Sequence, residues 1–151
     1  MTHHVRLATG DIDIAAELNR LAALGGGGVA SFIGIVRGEG GLTALELEHY
    51  PAMTLAAMTA IADEAVERWP LIGLTLIHRH GRLAPGARIV LVGAAAAHRG
   101  AAIDAVHFLI DWLKTRAPFW KREHFADGAA RWVAPREDDA RAAGRWENAA
   151  E

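Results

Sequence analysis

The chain has 151 residues, of which 52% are hydrophobic and 23% charged, and its formal net charge is −2. This length and balance favour one folded domain over residues 1–151, and they exclude an acidic disordered chain and a general polyanion-binding protein. Cysteine is absent, which excludes disulfides, cysteine-bound zinc, iron–sulfur clusters and any thiolate nucleophile or persulfide on this chain.

The first half of the chain carries three strand patterns and two helical patterns. In chain order it is predicted as strand, helix, strand, strand and helix, over residues 5–8, about 12–24, 29–36, 43–50 and 51–69. Asp11 is the expected N-cap of the first helix, and glycines 25–28 end it. Pro51 suits the first turn of the second helix, which ends before Pro70.

The second half begins with the most apolar segments and ends in a charged tail. It is predicted as strand, strand, helix, strand, strand and tail, over residues 71–78, 87–97, about 99–116, 119–125, 131–134 and 136–151. A turn containing Gly81, Pro85 and Gly86 joins the two apolar strands, and Pro118 ends the helix. Because helices and strands do not alternate strictly, the sequence predicts an α+β fold with a mixed or antiparallel sheet and three main helices.

The longest strongly apolar run covers residues 89–97, about half of what a membrane span needs. The first residues contain no apolar segment typical of a secretory signal. A cytoplasmic protein without a membrane partner is therefore expected.

The densest group of charges lies between residues 114 and 124, where four fixed positive charges accompany one negative charge. Lys114 falls in the last turn of the third predicted helix, and Lys121 lies beyond the proline corner beside Phe119 and Trp120. Cations next to large aromatic rings can form a pocket wall that binds a phosphate or a flat heterocycle. The alternative is that these charges complement the helix dipole and protect an edge strand.

Two shorter segments are further candidates for anion binding. His98 and Arg99 stand at the start of the third helix, where side chains and backbone N–H groups can meet an anion, although His98 could equally be a simple cap. Arg37 ends the strand in which Gly34 permits close approach of another backbone or a ligand. A lone arginine at a strand end is otherwise simply solvated.

Histidines and carboxylates form two weaker patterns. His78 and His80 share one face of an extended segment, as a pair of metal ligands would, but spacing places no third ligand and no metal site is predicted. On the third helix one polar stripe is either solvated or orients Lys114, and it consists of Asp104, His107, Asp111 and Lys114.

Six motifs between residue 28 and the tail carry a family resemblance. They are Phe32-x-Gly34-x-Val36-Arg37, Leu47-Glu48-His49-Tyr50-Pro51-x-Met53, Ile77-His78-Arg79-x-Gly81, Ala97-His98-Arg99, Asp111-x-Leu113-Lys114-Thr115-Arg116-Ala117-Pro118-Phe119-Trp120-Lys121-Arg122-Glu123, and the tail from Arg131-Trp132-Val133 through Arg141 with Arg145-Trp146. Together they resemble the MoaE family, the large catalytic subunits of molybdopterin synthase.

The resemblance implies an α/β hammerhead-type α+β fold and a homodimer at the centre of a heterotetramer. A small ubiquitin-like sulfur-carrier subunit ending in Gly-Gly would lie on each outer side. The implied reaction converts cyclic pyranopterin monophosphate to molybdopterin with two sulfurs from the carrier's C-terminal thiocarboxylate. No cofactor is implied, and a chain without cysteine needs such an outside sulfur donor.

Matched motif by motif, the resemblance implies that Lys114 and Lys121 are catalytic. Lys114 would contact the carrier's terminal carbonyl and act in covalent or acid–base steps, and Lys121 would polarise the pterin or the leaving carboxylate. The implied substrate-binding residues are Arg37, His98, Arg99 and, reaching in from the opposite protomer, Arg136. The expected pocket-lining residues are Phe32, Met53, Pro118 and Trp120.

One segment of the chain departs from the family pattern. The segment 38–42 is shorter than the loop expected in relatives, which abbreviates any mobile lid.

Two other classes of function are alternatives to this interpretation. One is a module that binds nucleotide or single-stranded RNA through the basic aromatic block, against which the net charge argues. A scaffold subunit without turnover is the other, against which the intact set of Lys114, Lys121, His98 and Arg37 argues.

Overall fold

The computed structural model describes residues 2–134 and 136–147. In chain order the elements are β1 (Thr2–Ala8), α1 (Ile14–Ala22), β2 (Gly28–Ile35), β3 (Leu42–His49), α2 (Pro51–Arg68), β4 (Leu71–Arg79), β5 (Gly81–Leu83), β6 (Arg88–Ala96), α3 (Arg99–Arg116), β7 (Phe119–Phe125), β8 (Ala130–Trp132) and α4 (Glu137–Gly144). The predicted α+β class is confirmed. Among the described residues, no helix is both long and apolar enough to cross a membrane.

The larger part of the core is built on a mixed four-stranded sheet with the strand order β1-β4-β6-β2. β1 runs parallel to β4, and the other neighbours are antiparallel. Successive side chains of a strand point to opposite faces. Leu74 and Val92 therefore pack against α2 and α3 on one face, whereas Ile77 and Leu91 pack beneath α1 on the other.

Helix α1 lies close to this sheet because two strand positions beneath it lack side chains. Leu21 of α1 is fully buried. A Cβ atom on Gly93 would lie 2.7 Å from a methyl group of Leu21, and one on Gly73 would collide with Leu24. Glycine at these positions thus sets the distance between the helix and the sheet.

A second, antiparallel sheet with the order β5-β3-β7-β8 adjoins the first. An apolar cluster joins the two sheets and contains Val36, Leu47, Leu83 and Ile89. Helix α3 packs on the first sheet, and the chain then turns at Pro118 into β7 of the second sheet. The C-terminal end of α3 consequently lies where the two sheets meet.

Three predictions about local structure are corrected. The N-cap of α1 is Asp13, whose side chain accepts a hydrogen bond from the Ala16 N–H at 3.1 Å; Asp11 instead accepts one from the Ile12 N–H at 2.9 Å. The predicted turn after β4 contains β5, which pairs with β3. The strands form two sheets rather than one. The sequence does not predict this division, because the pairing partners are distant in sequence and no local pattern specifies them.

The predicted charged tail contains a fourth helix. α4 occupies Glu137–Gly144, and Ala143 is its buried side chain. The indole N–H of Trp146 donates a hydrogen bond to Asp111 of α3 at 2.8 Å. The segment after β8 therefore folds back over α3 and covers part of the polar stripe on that helix; residues 148–151 lie outside the described part of the chain.

Candidate active site

Lys114 and Lys121 are the only lysines of the chain, since every other basic residue counted with them is arginine. Both line a cavity of about 260 Å³ at the junction of the two sheets. The same two lysines line a recess of about 120 Å³ that shares this wall. The two amines are thus brought together although a proline corner separates them along the chain.

The strand register of the second sheet turns Lys121 towards the cavity. Lys121 pairs with Leu47 across β7 and β3, and paired residues share a face of a sheet. Leu47 is buried in the cluster between the sheets, so Lys121 points to the same side. Trp120 pairs with Glu48 on the opposite face, where 44% of its surface is exposed.

Other charged groups reach the cavity from β7 and from two further segments of the chain. These residues are Arg37 after β2, Glu123 in β7, and Arg136 and Asp139 at the start of α4. Glu123 also accepts a hydrogen bond from the Arg131 Nε at 3.3 Å. With both lysines counted, cations outnumber carboxylates on the wall, which favours an anionic ligand.

The environment of Lys114 makes its amine easier to deprotonate. Partial loss of hydration lowers the pKa of Lys114 to about 8, with Lys121 adding repulsion and Asp139 opposing the shift. The side chain keeps contact with solvent, so the concave walls around it, rather than complete burial, cause this loss of hydration. At pH 7.5 roughly a quarter of such an amine is neutral. An arginine at this position would stay charged.

A buried histidine adjoins the lysines. His78 is 3% exposed, and its Nδ1–H donates to the carbonyl oxygen of Arg79 at 2.7 Å. Burial, together with the charges of Lys114 and Lys121, lowers the pKa of His78 to about 3, although the hydrogen bond to the Arg79 carbonyl opposes the shift. The ring is therefore neutral at physiological pH, with its unprotonated nitrogen at Nε2.

The two histidines of the predicted pair have different neighbours. The ring of His78 stacks on Phe119, and His80 lies against His49, with ring centroids 4.2 Å apart. Within residues 2–134 and 136–147, no group of three His, Asp or Glu side chains could hold a metal ion.

Comparison with known proteins identifies the family. The family model described as "MoaE protein" matches residues 7–116, more than half of the chain. The molybdopterin synthase catalytic subunit of Mesorhizobium japonicum is 55% identical over 97% of this chain and 95% of that protein. This chain belongs to the MoaE family. The resemblance inferred from the six motifs is confirmed.

Solved structures agree with this membership. The MoaE protein of Burkholderia ambifaria superposes with a TM-score of 0.82 and 45% identity, covering 97% of this chain and 99% of that one. A complex of subunits 1 and 2 of molybdopterin-converting factor from Helicobacter pylori shares the fold, with a TM-score of 0.73 at 21% identity, covering 87% of this chain and 90% of that one. The MoaE fold therefore includes β7 and α4, although the family model match ends at residue 116.

The structure brings four of the residues implied by the MoaE motifs to one cavity. They are Lys114, Lys121, Arg37 and Arg136. Arg136 reaches the cavity of its own chain because α4 folds back over α3, so the predicted arrival from an opposite protomer is not required. The roles of these residues remain predictions.

His98 and Arg99 do not join that cavity within one chain. They stand at the N-terminal start of α3, and Lys114 stands near its C-terminal end. The fifteen residue-to-residue steps from Arg99 to Lys114 span about 22 Å of helix. One protomer alone cannot place both ends of α3 on one small ligand.

The four expected pocket-lining residues are not in the wall of the lysine cavity formed by the described residues. Strand alternation turns Trp120 outward, into a recess of about 290 Å³ that it shares with Tyr50 and Trp132. Phe32 lies exposed on the edge strand β2, and Met53 lies exposed in the first turn of α2. Pro118 forms the corner, and its carbonyl accepts a hydrogen bond from the Thr54 hydroxyl at 3.1 Å.

Sequence reasoning did not single out Asp139 or Glu123 as cavity residues, and it did not assign a role to His78. Asp139 carried a usable signal, because acidic residues followed by an alanine-rich segment are typical of the first turn of a helix. His78 carried none, since its contact with Phe119 joins strands of two different sheets.

Proposed function

We propose that this MoaE-family chain is the catalytic subunit of a molybdopterin synthase, which converts cyclic pyranopterin monophosphate to molybdopterin. The observation that carries this proposal is the single cavity that collects both lysines of the chain together with Arg37 and Arg136. Cationic side chains suit a cyclic phosphate on a flat ring. An amine with a pKa of about 8 also provides a base or nucleophile near neutral pH.

The sulfur has to come from another molecule, because this chain has no cysteine. We infer that a small ubiquitin-like carrier presents a thiocarboxylate at a terminal Gly-Gly. A narrow peptide end of this kind suits a cavity of about 260 Å³ better than a folded surface does. The complex of two converting-factor subunits from Helicobacter pylori is consistent with such a two-subunit enzyme.

Each sulfur transfer is a substitution at the carrier's terminal carbonyl. The thiocarboxylate sulfur forms a C–S bond to a carbon of the substrate while a C–O bond at that carbon breaks, and the sulfur becomes part of an acyl thioester between carrier and substrate. The displaced oxygen stays on the phosphate as its ring opens in one transfer and leaves as water in the other. Neutral Lys114 removes a proton from water, the water oxygen bonds to the acyl carbon, and the acyl C–S bond breaks. The sulfur stays on the pterin as a thiolate, and the carrier leaves as a carboxylate. The Lys121 ammonium stabilises the negative charge on the carbonyl oxygen, and a second carrier supplies the second sulfur.

We further propose that two copies of the chain form a homodimer through β2. β2 is the last strand of its sheet, paired on one side only with β6. Apolar side chains of this strand are exposed, with Val29 at 41%, Phe32 at 40% and Ile35 at 55%. An unpaired edge with apolar side chains is a template for pairing with another chain.

Antiparallel pairing of two β2 strands would also complete the site. The start of β2 lies against Arg99, since a Cβ atom on Gly28 would lie 3.6 Å from the Arg99 Cα. The end of β2 leads into the cavity, whose wall includes Ile35, Val36 and Arg37. A twofold axis across β2 would bring the start of one strand opposite the end of the other. His98 and Arg99 of one protomer would then face the lysine cavity of its partner.

The direct test combines the purified chain with thiocarboxylated carrier and cyclic pyranopterin monophosphate, and follows the dithiolene product by mass spectrometry. We expect product with carrier and none without it, even when inorganic sulfide is present at physiological concentration. Lys114→Ala is expected to abolish product while the variant keeps its fold and dimer. The absence of product with carrier would refute the proposed function. Product formation from sulfide alone would refute the need for a carrier, and normal turnover by Lys114→Ala would remove Lys114 from the mechanism.

A further inference from the structure

Helix α4, whose first turn contributes to the wall of the lysine cavity, is anchored to α3, the helix that carries Lys114. The indole N–H of Trp146 donates to the Asp111 carboxylate at 2.8 Å, and the Arg145 Nε lies 3.5 Å from the same carboxylate oxygen. Asp111 stands one helical turn before Lys114 on α3. The placement of α4 is therefore fixed relative to Lys114.

Within the first turn of α4, only one of three carboxylates is directed towards the cavity. Glu137 and Asp138 are exposed, whereas Asp139 is half-buried and lines both the cavity and the adjoining recess. Asp138 is already paired with Arg136 at 3.5 Å. In the part of the chain that the structure describes, Asp139 has no basic side chain within ion-pair distance of 4.0 Å, so its charge acts on the cavity through space.

Titratable and charged groups from several elements surround Lys114. These groups are Arg37 after β2, Lys121 and Glu123 on β7, Arg136 and Asp139 at α4, Asp111 on α3 itself, and the neutral His78 on β4. Among them, Lys121 and Arg136 lower the pKa of Lys114, and Asp139 raises it. The balance between these charges decides how much of the amine is neutral at a given pH.

We propose that Asp139 is a positioning residue that controls Lys114 through space: its carboxylate favours the ammonium form, which Lys121 and Arg136 disfavour. Without this carboxylate, less negative charge would offset the cationic side chains of the cavity, and Lys114 would lose its proton at lower pH. The same carboxylate repels an anionic ligand, so it also limits how tightly the cationic wall binds one. Only the consequence for turnover rests on the proposed function.

The presence of only two lysines makes the proton equilibrium directly measurable. Full-length protein labelled with ¹³C-lysine gives two lysine signals, which Lys121→Arg assigns, and their chemical shifts are followed between pH 6 and 11. We expect Asp139→Asn to lower the titration midpoint of Lys114 by about half a pH unit or more. Asp139→Glu, which keeps the charge, is expected to titrate within about 0.2 units of the parent protein.

The matched control is Glu137→Gln, which removes the same charge from the same helical turn but on the exposed side. It is expected to leave the Lys114 midpoint within about 0.2 units of the parent value. An unchanged midpoint in Asp139→Asn, or an equal shift in Glu137→Gln or Asp139→Glu, would overturn the proposal.

The same variants then show whether the control extends to catalysis. If neutral Lys114 is the base, the acid limb of the pH profile of kcat moves to lower pH in Asp139→Asn by the amount that the lysine signal moves. KM for the anionic substrate is expected to fall in the same variant, whereas Glu137→Gln changes neither quantity. A shifted lysine signal in a protein without synthase turnover would refute the proposed function and leave the assignment of Asp139 intact.

Discussion

The imidazole ring of His78 stacks on the phenyl ring of Phe119, with ring centroids 3.8 Å apart and planes inclined by 20°. Phe119 begins β7 and lines the recess that holds Lys114 and Lys121. A proton on His78 would therefore add a third positive charge beside the two amines. Burial keeps this ring neutral, and the hydrogen bond from Nδ1 to the backbone holds it in one orientation.

The low pKa of His78 predicts a specific loss of stability in acid. The folded protein keeps His78 deprotonated down to about pH 3, whereas the unfolded chain binds a proton below the ordinary value of 6.5. Stability is therefore complete above pH 6.5 and is lost as the pH falls from 6.5 towards 3. Between pH 7.5 and 4.5, the parent protein should lose about 2–3 kcal/mol more unfolding free energy than His78→Asn does.

Urea unfolding at the two pH values measures this difference. Asparagine at position 78 can still donate to the Arg79 carbonyl but does not titrate. His3→Asn on the exposed face of β1 is the control, and it should keep the parent's pH dependence. If the parent protein and His78→Asn lost the same unfolding free energy between pH 7.5 and 4.5, this histidine would not be responsible for the loss.

Lys114→Arg separates charge from proton transfer at the cavity. Arginine keeps the positive charge but cannot become neutral near pH 7. If Lys114 works as a base or nucleophile, we expect kcat to fall by about 10²–10⁴-fold, with little change in KM. Arg116→Lys, at the exposed end of the same helix, should keep normal kcat in the same steady-state assay. Near-normal kcat in Lys114→Arg would leave only an electrostatic role for residue 114.

Thr54 connects α2 to the corner between the two lysines. Its buried hydroxyl donates to the Pro118 carbonyl at 3.1 Å. Thr54→Val keeps the shape but leaves this carbonyl without its partner, which should cost about 1–3 kcal/mol of unfolding free energy. Because the corner places Lys121 opposite Lys114, turnover should fall as well. Thr54→Ser retains the hydroxyl and should retain turnover; equal activity in the serine and valine variants would contradict this.

Mixing two inactive variants tests whether the site is shared between protomers. If His98 completes the cavity of its partner, then a dimer of one Lys114→Ala chain and one His98→Ala chain has one intact site. Random re-pairing after unfolding and refolding should restore about a quarter of the parent activity. Lys114→Ala mixed with Lys121→Ala is the control, because both residues belong to one cavity wall and their mixed dimers contain no intact site. Equal recovery in both mixtures, or none in the first, would contradict a shared site.

The sequence by itself determined most helices and strands, because their signals are local. Helical spacing together with Pro51 and Pro70 fixed α2, and the residues around Pro118 fixed the end of α3 and the start of β7. β5 was not predicted because a strand of three residues has too few side chains to show the alternation of apolar and polar residues. α4 was not predicted because its segment consists mostly of charged residues and alanine. Its one buried side chain is an alanine, so packing on α3, rather than a stripe of large apolar residues, supports it.

For the site, the sequence determined which chemistry is available: a chain without cysteine, two lysines near aromatic rings, and arginines at strand and helix ends. Only the tertiary structure decided which of these groups meet. Strand register directs Lys121 inward and Trp120 outward, and the length of α3 separates Arg99 from Lys114. The folded-back α4 brings Arg136 and Asp139 to the amines. These relationships join residues from different sheets and helices, and distances between such segments depend on packing that no local pattern contains.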